Sequence, residues 1–261
     1  MNGKESQLLR ISTGKDEARA IAYRFEKPRL ADRPVFVWFC GFGSEMGSLK
    51  AEDIAGFTET EGAGCLRFDY SGHGRSEGAF EGGTIGRWLD DAAAVCDAAL
   101  TSNAPFVFVG SSMGGWIALL LALRRQRAGL SLPKAIVLIA PAWNMTELLQ
   151  KRLPEHALAA IEKDGVFLRP SVYGGAPYPI TKKLIDEGKN HLFGTAPLPL
   201  DCPIRILHGS QDPEIPWRHS LDLVDLVTAT DVRLTLVKDG EHRLSRPQDL
   251  ALLRTMLAEL L

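Results

Sequence analysis

The pattern G-x-S-x-G occurs twice in this chain, in two different settings. Gly110-Ser111-Ser112-Met113-Gly114 directly follows the apolar run PFVFV and opens the helix-compatible stretch MGGWIALLLALRRQR. Gly74-Arg75-Ser76-Glu77-Gly78 lies in a glycine-rich loop, with further loop residues before the next helix. In a chain with 25 glycines the bare pattern carries little weight, so context has to decide. A serine on a sharp strand-to-helix turn projects its hydroxyl from the carboxyl edge of a sheet. Such a turn is strained and needs small neighbours, which Gly110, Gly114 and Gly115 supply. The helix start also aims N–H groups and the positive dipole end at the reacting oxygen. Ser112 is therefore the candidate nucleophile, with an inert helix cap as the alternative, and Ser76 reads as a turn residue.

A serine hydroxyl is a weak nucleophile without a general base. The histidines are His73, His156, His191, His208, His219 and His242. His242 follows the run VRLTLVKDGE and precedes the last helix, which places it at the end of a late strand. His208 is followed at once by Gly209 and reads as a brace for its loop. His219 falls early in a helix, and His73 shapes a turn in the glycine-rich loop. His156 and His191 fall in an irregular segment, where a surface role is the default. An imidazole in this role needs a carboxylate to fix its tautomer. Asp212, after IRILHGSQ, is the candidate, with Glu214 as the nearby competitor. The developing oxyanion needs preorganised N–H donors. Met113, after the nucleophile, would supply one. The loop Cys40-Gly41-Phe42-Gly43 after VFVWFC would supply another through Phe42, unless its glycines serve only a tight turn.

These positions need a scaffold that brings several strand ends together. QLLRIS and RAIAYRF read as an opening hairpin. VFVWFC, CLRFDY, PFVFV, KAIVLIAPA, IRILHG and VRLTLVKDG read as further strands. Helical stretches alternate with them, over about 49–61, 84–102, 113–127, 217–227 and 246–261. Strands apolar on both faces, alternating with amphipathic helices, predict a mostly parallel eight-stranded sheet with helices on both faces, an α/β fold. Residues 142–200 break the rhythm, with prolines, aromatics and no clear strand. A stretch that long between strands predicts a cap inserted into the single domain 1–261.

Composition narrows the function classes. The 261 residues carry a net charge of −2, which offers no basic face for nucleic acid. No apolar stretch approaches the roughly 18 residues that span a bilayer, so no stable membrane insertion is expected. The cysteines Cys40, Cys65, Cys96 and Cys202 lack metal-ligand spacing, and neither a metal nor an organic cofactor is expected. The first residues show no basic stretch leading into an apolar one. Together with scattered cysteines, this predicts a reducing, cytoplasmic location. The sequence sets no oligomeric state.

Ser112, Asp212 and His242, each just past an expected strand, stand in the chain order of an α/β-hydrolase. The chain resembles that superfamily along nearly its whole length. RFDYSGHGRSEG (67–78), VGSSMGGW (109–116), CPIRILHGSQDPEIPW (202–217) and DGEHRL (239–244) are similar to the family of the mitochondrial palmitoyl-protein thioesterase and mycophenolic acid acyl-glucuronide esterase. The resemblance implies the α/β-hydrolase fold and acyl-enzyme chemistry on thioesters or esters of small molecules or acylated proteins. It assigns Ser112 as nucleophile, Asp212 as acid and His242 as base. Cys40 departs from the His or Pro common at that position in the superfamily. An amidase or peptidase on the same triad, and a non-catalytic ligand-sensing member, are the alternatives. In the expected cap, Trp143, Met145, Leu148, Leu149, Phe167, Tyr173, Tyr178 and Phe193 could line an acyl pocket or pack a small core.

Overall fold

The structure, a computed structural model, describes residues 6–12, 18–100, 104–171, 174 and 176–261. Strands β1 (Gln7–Ile11) and β2 (Arg19–Glu26) pair as the antiparallel edge hairpin. Then strands and helices alternate: β3 (Val35–Phe39), α1 (Leu49–Thr60), β4 (Gly64–Phe68), α2 (Ile85–Ala99), β5 (Phe106–Ser111), α3 (Met113–Arg127) and β6 (Ala135–Ile139). Every residue of β3, β4, β5 and β6 is buried, as their largely apolar sequences require, and the one charge among them, Arg67 in β4, is paired with Glu26. The expected helix over 84–102 ends earlier, at Ala99, and residues 101–103 lie outside the described residues.

Between β6 and the next sheet strand the chain forms α4 (Met145–Arg152), α5 (Glu155–Asp164), β7 (Val166–Arg169), β8 (Tyr178–Thr181) and α6 (Lys182–Gly188). It returns through β9 (Ile204–Gly209), α7 (Arg218–Leu226), β10 (Val232–Val237) and α8 (Pro247–Ala258). β7 and β8 form an antiparallel ribbon in a segment whose sequence shows no clear strand. Each is four residues long, too short for alternation to register, and Pro179 inside β8 argues against a strand. The ribbon tolerates the proline because each of its strands is an edge.

The main sheet has eight strands in the order β1-β2-β4-β3-β5-β6-β9-β10. From β4 through β10 neighbouring strands run parallel, and β2 pairs antiparallel with β4. α1 packs with α8, and α2 with α3. This is the α/β-hydrolase fold. The chain steps from β3 to β4 on one side and then crosses to β5 on the other. The carboxyl ends of β3 and β5 therefore flank the switch point, where open α/β sheets leave room for a ligand.

The closeness of α3 to the sheet sets the shape of that point. A Cβ at Gly114 would run into the carbonyl oxygens of Phe39 and Cys40 at the end of β3. Gly110 faces Gly114 and Gly115 in the same way. Gly56, inside α1, has open space around its Cβ position. Gly114→Ala should cost about 1–3 kcal/mol or more through overpacking against backbone that cannot yield. Gly56→Ala should stabilise by about 0.5–1 kcal/mol through helix propensity. Thermal melts of the two variants check this, and equal melting temperatures would contradict the packing described.

Candidate active site

Ser112 sits between the end of β5 and the start of α3 with φ 54° and ψ −122°. A positive φ at a non-glycine residue is strained, and the surroundings must hold it. They do so through backbone hydrogen bonds to β6 and the residues after it. Ser112 N–H donates to Ile139 O at 2.9 Å, and Ala142 N–H donates to Ser112 O at 3.0 Å. The side chain is thereby presented above the sheet, only partly buried.

Two more loops reach it from the far side. Ser112 Oγ lies 3.1 Å from His242 Nε2, and His242 Nδ1 lies 2.7 Å from Asp212 Oδ2. The loops after β9 and β10 that carry Asp212 and His242 are laced together. Ser210 N–H donates to Val237 O (2.8 Å), and Gln211 N–H donates to Gly240 O (2.9 Å). A Cβ at Gly209 would collide with the Gly240 backbone, so the loops touch where glycines allow it. Lys50, in α1, donates from Nζ to Arg243 O at 2.5 Å and steadies the histidine loop from the other flank.

Asp212 has no exposed side-chain surface. Burial alone would raise its pKa, but hydrogen bonds from His208 and His242 outweigh burial and hold the carboxyl well below the usual range. Its other oxygen accepts the N–H groups of Glu214 (2.8 Å) and Ile215 (2.9 Å). His208 Nε2 lies 3.2 Å from Asp212 Oδ2 and 3.1 Å from Ile215 O, and its Nδ1 lies 2.7 Å from Ser220 Oγ. Both partners of Nε2 accept only, so Nε2 carries the proton. Glu214, the alternative acid, is taken by Arg169 at 2.6 Å instead.

The loop after β3 lies against the serine. A Cβ at Gly41 would stand 3.4 Å from Ser112 Cβ. Among the described residues no protein acceptor takes the Phe42 N–H, and Met113 opens α3 and so has no intrahelical acceptor. His73, read from the sequence as a turn former, faces this loop: Gly43 N–H donates to its Nε2 at 3.2 Å. No local signal in the sequence points to this contact, whose partner lies thirty positions earlier. Ser76 is structural, accepting Ala22 N–H at 2.8 Å and donating to Asp69 O at 2.7 Å.

A cavity of about 550 Å³ opens over Ser112 and His242. Its apolar wall includes Phe42, Met145, Leu148, Leu149, Phe167, Tyr178 and Ile180. His156, Arg152, Arg169 and Glu214 also line it. Trp143 and Phe193 do not line it. Trp143 stacks on His219 at 4.2 Å and exchanges hydrogen bonds with it, Nε1 to His219 O (2.8 Å) and His219 Nε2 with Trp143 O (2.7 Å). Phe193 packs beside Trp143. Tyr173 lies outside the described residues.

Residues 31–167 match the family described as serine aminopeptidase, S33. The human protein named palmitoyl-protein thioesterase ABHD10, mitochondrial, is 35% identical over 223 residues, covering 84% of this chain and 70% of its own. The mouse ABHD10 structure superposes with a TM-score of 0.84 at 31% identity, over 97% of this chain and 98% of that one. The chain belongs to the ABHD10 family of α/β-hydrolases. A putative hydrolase from Agrobacterium vitis S4 is also similar, with TM-score 0.91 and 39% identity over 98% of each chain. As a member of the ABHD10 family the protein is an enzyme, a serine hydrolase.

The expectation of a cytoplasmic protein is corrected here. The ABHD10 relatives from human, orangutan and cattle are all named mitochondrial. The cysteines could not have decided the matter, because free thiols, as all four are here, fit any reducing compartment equally well. Among the described residues no helix is long and apolar enough to cross a membrane.

The depressed Asp212 pKa has a measurable consequence. A carboxyl whose native pKa lies below its unfolded value contributes fully above about pH 4 and loses that contribution as pH falls toward the native value. Asp212→Asn should therefore melt below wild type at pH 7, by about 1–3 kcal/mol, through loss of charge-assisted hydrogen bonds. The gap should narrow as pH drops below about 4. Calorimetry across that range tests the sign, and a gap that widens on acidification would contradict it.

Proposed function

We propose that this enzyme cleaves acyl thioesters or carboxylic esters through a Ser112-His242-Asp212 triad and an acyl-enzyme intermediate. The observation that carries the reading is the unbroken chain Ser112 Oγ to His242 Nε2 to Asp212 Oδ2, at 3.1 and 2.7 Å, beneath a largely apolar cavity. The acyl-thioester substrate is suggested by the relatives named palmitoyl-protein thioesterase. The cavity volume lies within the range of small-molecule sites. Residues 142–200 act in this reading as the cap that supplies most of its apolar wall.

Asp212 keeps the His242 proton on Nδ1, so Nε2 is free to take the Ser112 proton as Oγ attacks the acyl carbonyl. The new imidazolium is balanced by the ionised Asp212. The carbonyl oxygen becomes an oxyanion held by the N–H groups of Phe42 and Met113, each donor being worth roughly 10²–10³ in rate. The tetrahedral adduct collapses with departure of the thiolate or alkoxide. His242 returns its proton to the leaving group, which an alkoxide needs more than a thiolate does. Water, deprotonated by His242, then attacks the acyl-enzyme and frees Ser112 and the acid. The substrate is a small acylated molecule or an acylated protein whose chain enters the cavity.

Aminopeptidase action finds less support. Among the described lining residues Glu214 is the one carboxylate, and Arg169 already occupies it, so no free carboxylate faces a substrate α-amine. A purely ligand-sensing role would not need the serine, histidine and aspartate held in hydrogen-bond register.

Steady-state hydrolysis of a chain-length series of acyl thioesters and matched oxygen esters tests the reading. Long-chain thioesters should be preferred, and Ser112→Ala should lower kcat by at least about 10³-fold. A preference for short oxygen esters would remove the thioesterase assignment and leave the triad. Turnover that survives in Ser112→Ala would remove the triad itself.

A further inference from the structure

We propose that His73 is a positioning residue for the oxyanion loop, holding the Gly43 amide so that the neighbouring Phe42 N–H stays aimed at the carbonyl oxygen of the acyl group that Ser112 attacks. The inference rests on the reading of Ser112 as nucleophile and Phe42 as oxyanion donor.

The two hydrogen bonds of the ring define its state. Gly43 N–H can only donate, so His73 Nε2 must accept it, at 3.2 Å. Ser71 O can only accept, so His73 Nδ1, 3.3 Å away, must donate. The neutral Nδ1–H tautomer satisfies both, and a protonated ring would satisfy only one. Burial pushes the His73 pKa down to about 4, opposed by the Ser71 carbonyl, so the ring is neutral at pH 7. The rings of Phe80, Trp88 and Tyr70 enclose it at centroid distances of 4.9, 5.2 and 5.6 Å and restrict its orientation.

Ser71 is fixed in turn. Its N–H donates to Asp91 Oδ2 at 2.8 Å, and its carbonyl also accepts Trp88 Nε1–H at 3.1 Å. Asp91 is held by the buried Arg19 at 2.7 Å. A continuous set of contacts thus runs from the β2–α2 core, through Ser71 and His73, to the loop beside Ser112. Gly43 has φ +68°, and a Cβ there would approach Tyr178 Cε1 to 2.8 Å, so the backbone at this point has little other freedom. The same loop is pinned a second time, by Met46 N–H to Asp69 Oδ1 at 2.7 Å. That second bond does not involve His73, so the effect of removing His73 is expected to stay local.

A residue that only filled space here would affect stability and leave the transition state alone. A residue that aims the oxyanion donor affects kcat and the affinity for tetrahedral adducts, and leaves KM nearly unchanged. The experiment compares wild type, His73→Phe and His73→Gln by thioester hydrolysis and by inhibition with an alkylboronic acid. The boron of that acid bonds to the Ser112 oxygen and places a second oxygen in the oxyanion position. His73→Phe keeps a flat aromatic ring, somewhat larger, and deletes both the acceptor for Gly43 and the donor to Ser71; His73→Gln restores an acceptor of similar reach. The expected result for His73→Phe is a fall of about 10- to 100-fold in kcat and a similar weakening of boronate binding, with KM within about threefold of wild type. His73→Gln should recover most of both.

A folded His73→Phe enzyme with wild-type kcat and boronate affinity overturns the inference, as does a His73→Gln enzyme no better than His73→Phe. If His73→Phe melts below assay temperature, His73→Asn replaces it. Both amides are neutral, and only the longer one spans to Gly43, so equal kcat in the Asn and Gln variants again overturns it. Ser112→Ala, assayed alongside, separates the two levels. Activity that persists there removes the reading of the site and this inference with it. An inactive Ser112→Ala with an unimpaired His73→Phe removes this inference alone.

Discussion

A carboxylate that has lost all contact with solvent is the interaction on which the site depends. Asp212 would not stay ionised in that environment unaided, because desolvation favours the neutral acid. Two backbone N–H groups and two imidazole rings supply what water no longer does. The arrangement is reciprocal. The ionised carboxylate fixes His242 in the tautomer that leaves Nε2 facing Ser112. Through Glu214, Ile215 and His208 it also fixes the loop that carries it. His208 is a structural part of this centre: it links Asp212 to Ser220 in α7 and ties the acid loop to the helix behind it.

Ser112, the proposed nucleophile, is held by the opposite means, strain in place of charge. A non-glycine residue at φ 54° costs on the order of 1–3 kcal/mol, and the turn persists because its neighbours leave no alternative. β6 accepts the Ser112 amide, and α3 is seated so closely on β3 that no side chain fits at Gly114. The core strands make this affordable. They are short, wholly buried and tightly paired, so the sheet over-determines where each loop begins. Three loop systems can then converge to hydrogen-bond accuracy although the residues they carry are far apart in sequence.

How much of this was legible in the sequence follows from the range of each signal. The buried strands announce themselves through continuous runs such as VFVWF and AIVLI, and the sharp turn at Ser112 through a glycine-flanked serine between strand and helix. The α/β architecture follows from those local patterns. The choice of Asp212 over Glu214 was open, because two carboxylates so close in sequence carry the same local signal. In space the two differ: Asp212 lies beside His242, while Arg169 reaches Glu214 from β7. The β7–β8 ribbon was hidden by its length and by Pro179. His73 was legible as a turn residue and no more. Its partner amide belongs to a loop thirty positions earlier in the chain, and nothing local records that pairing.

The aromatic side chains add a constraint that neither the triad nor the strain explains. Phe42 belongs to the loop after β3, the proposed oxyanion loop, and its ring packs on Phe80 at 4.8 Å, on Trp88 at 5.9 Å and on Tyr178 of β8 at 6.1 Å. The first two contacts come from the α/β core that carries Ser112, Asp212 and His242, and the third from the segment between β6 and β9. Phe42 and Tyr178 also line the cavity over Ser112. The wall that would contact an acyl chain and the backbone that would bind its oxyanion are therefore parts of one packed cluster. Interiors packed at this density do not deform continuously, so a displacement of Tyr178 has to be met by its aromatic neighbours. With Phe42 in its proposed role, the segment between β6 and β9 would influence the chemical step without contributing a charged group to it, because Phe42 would be at once a wall of the cavity and the residue whose amide faces the reaction.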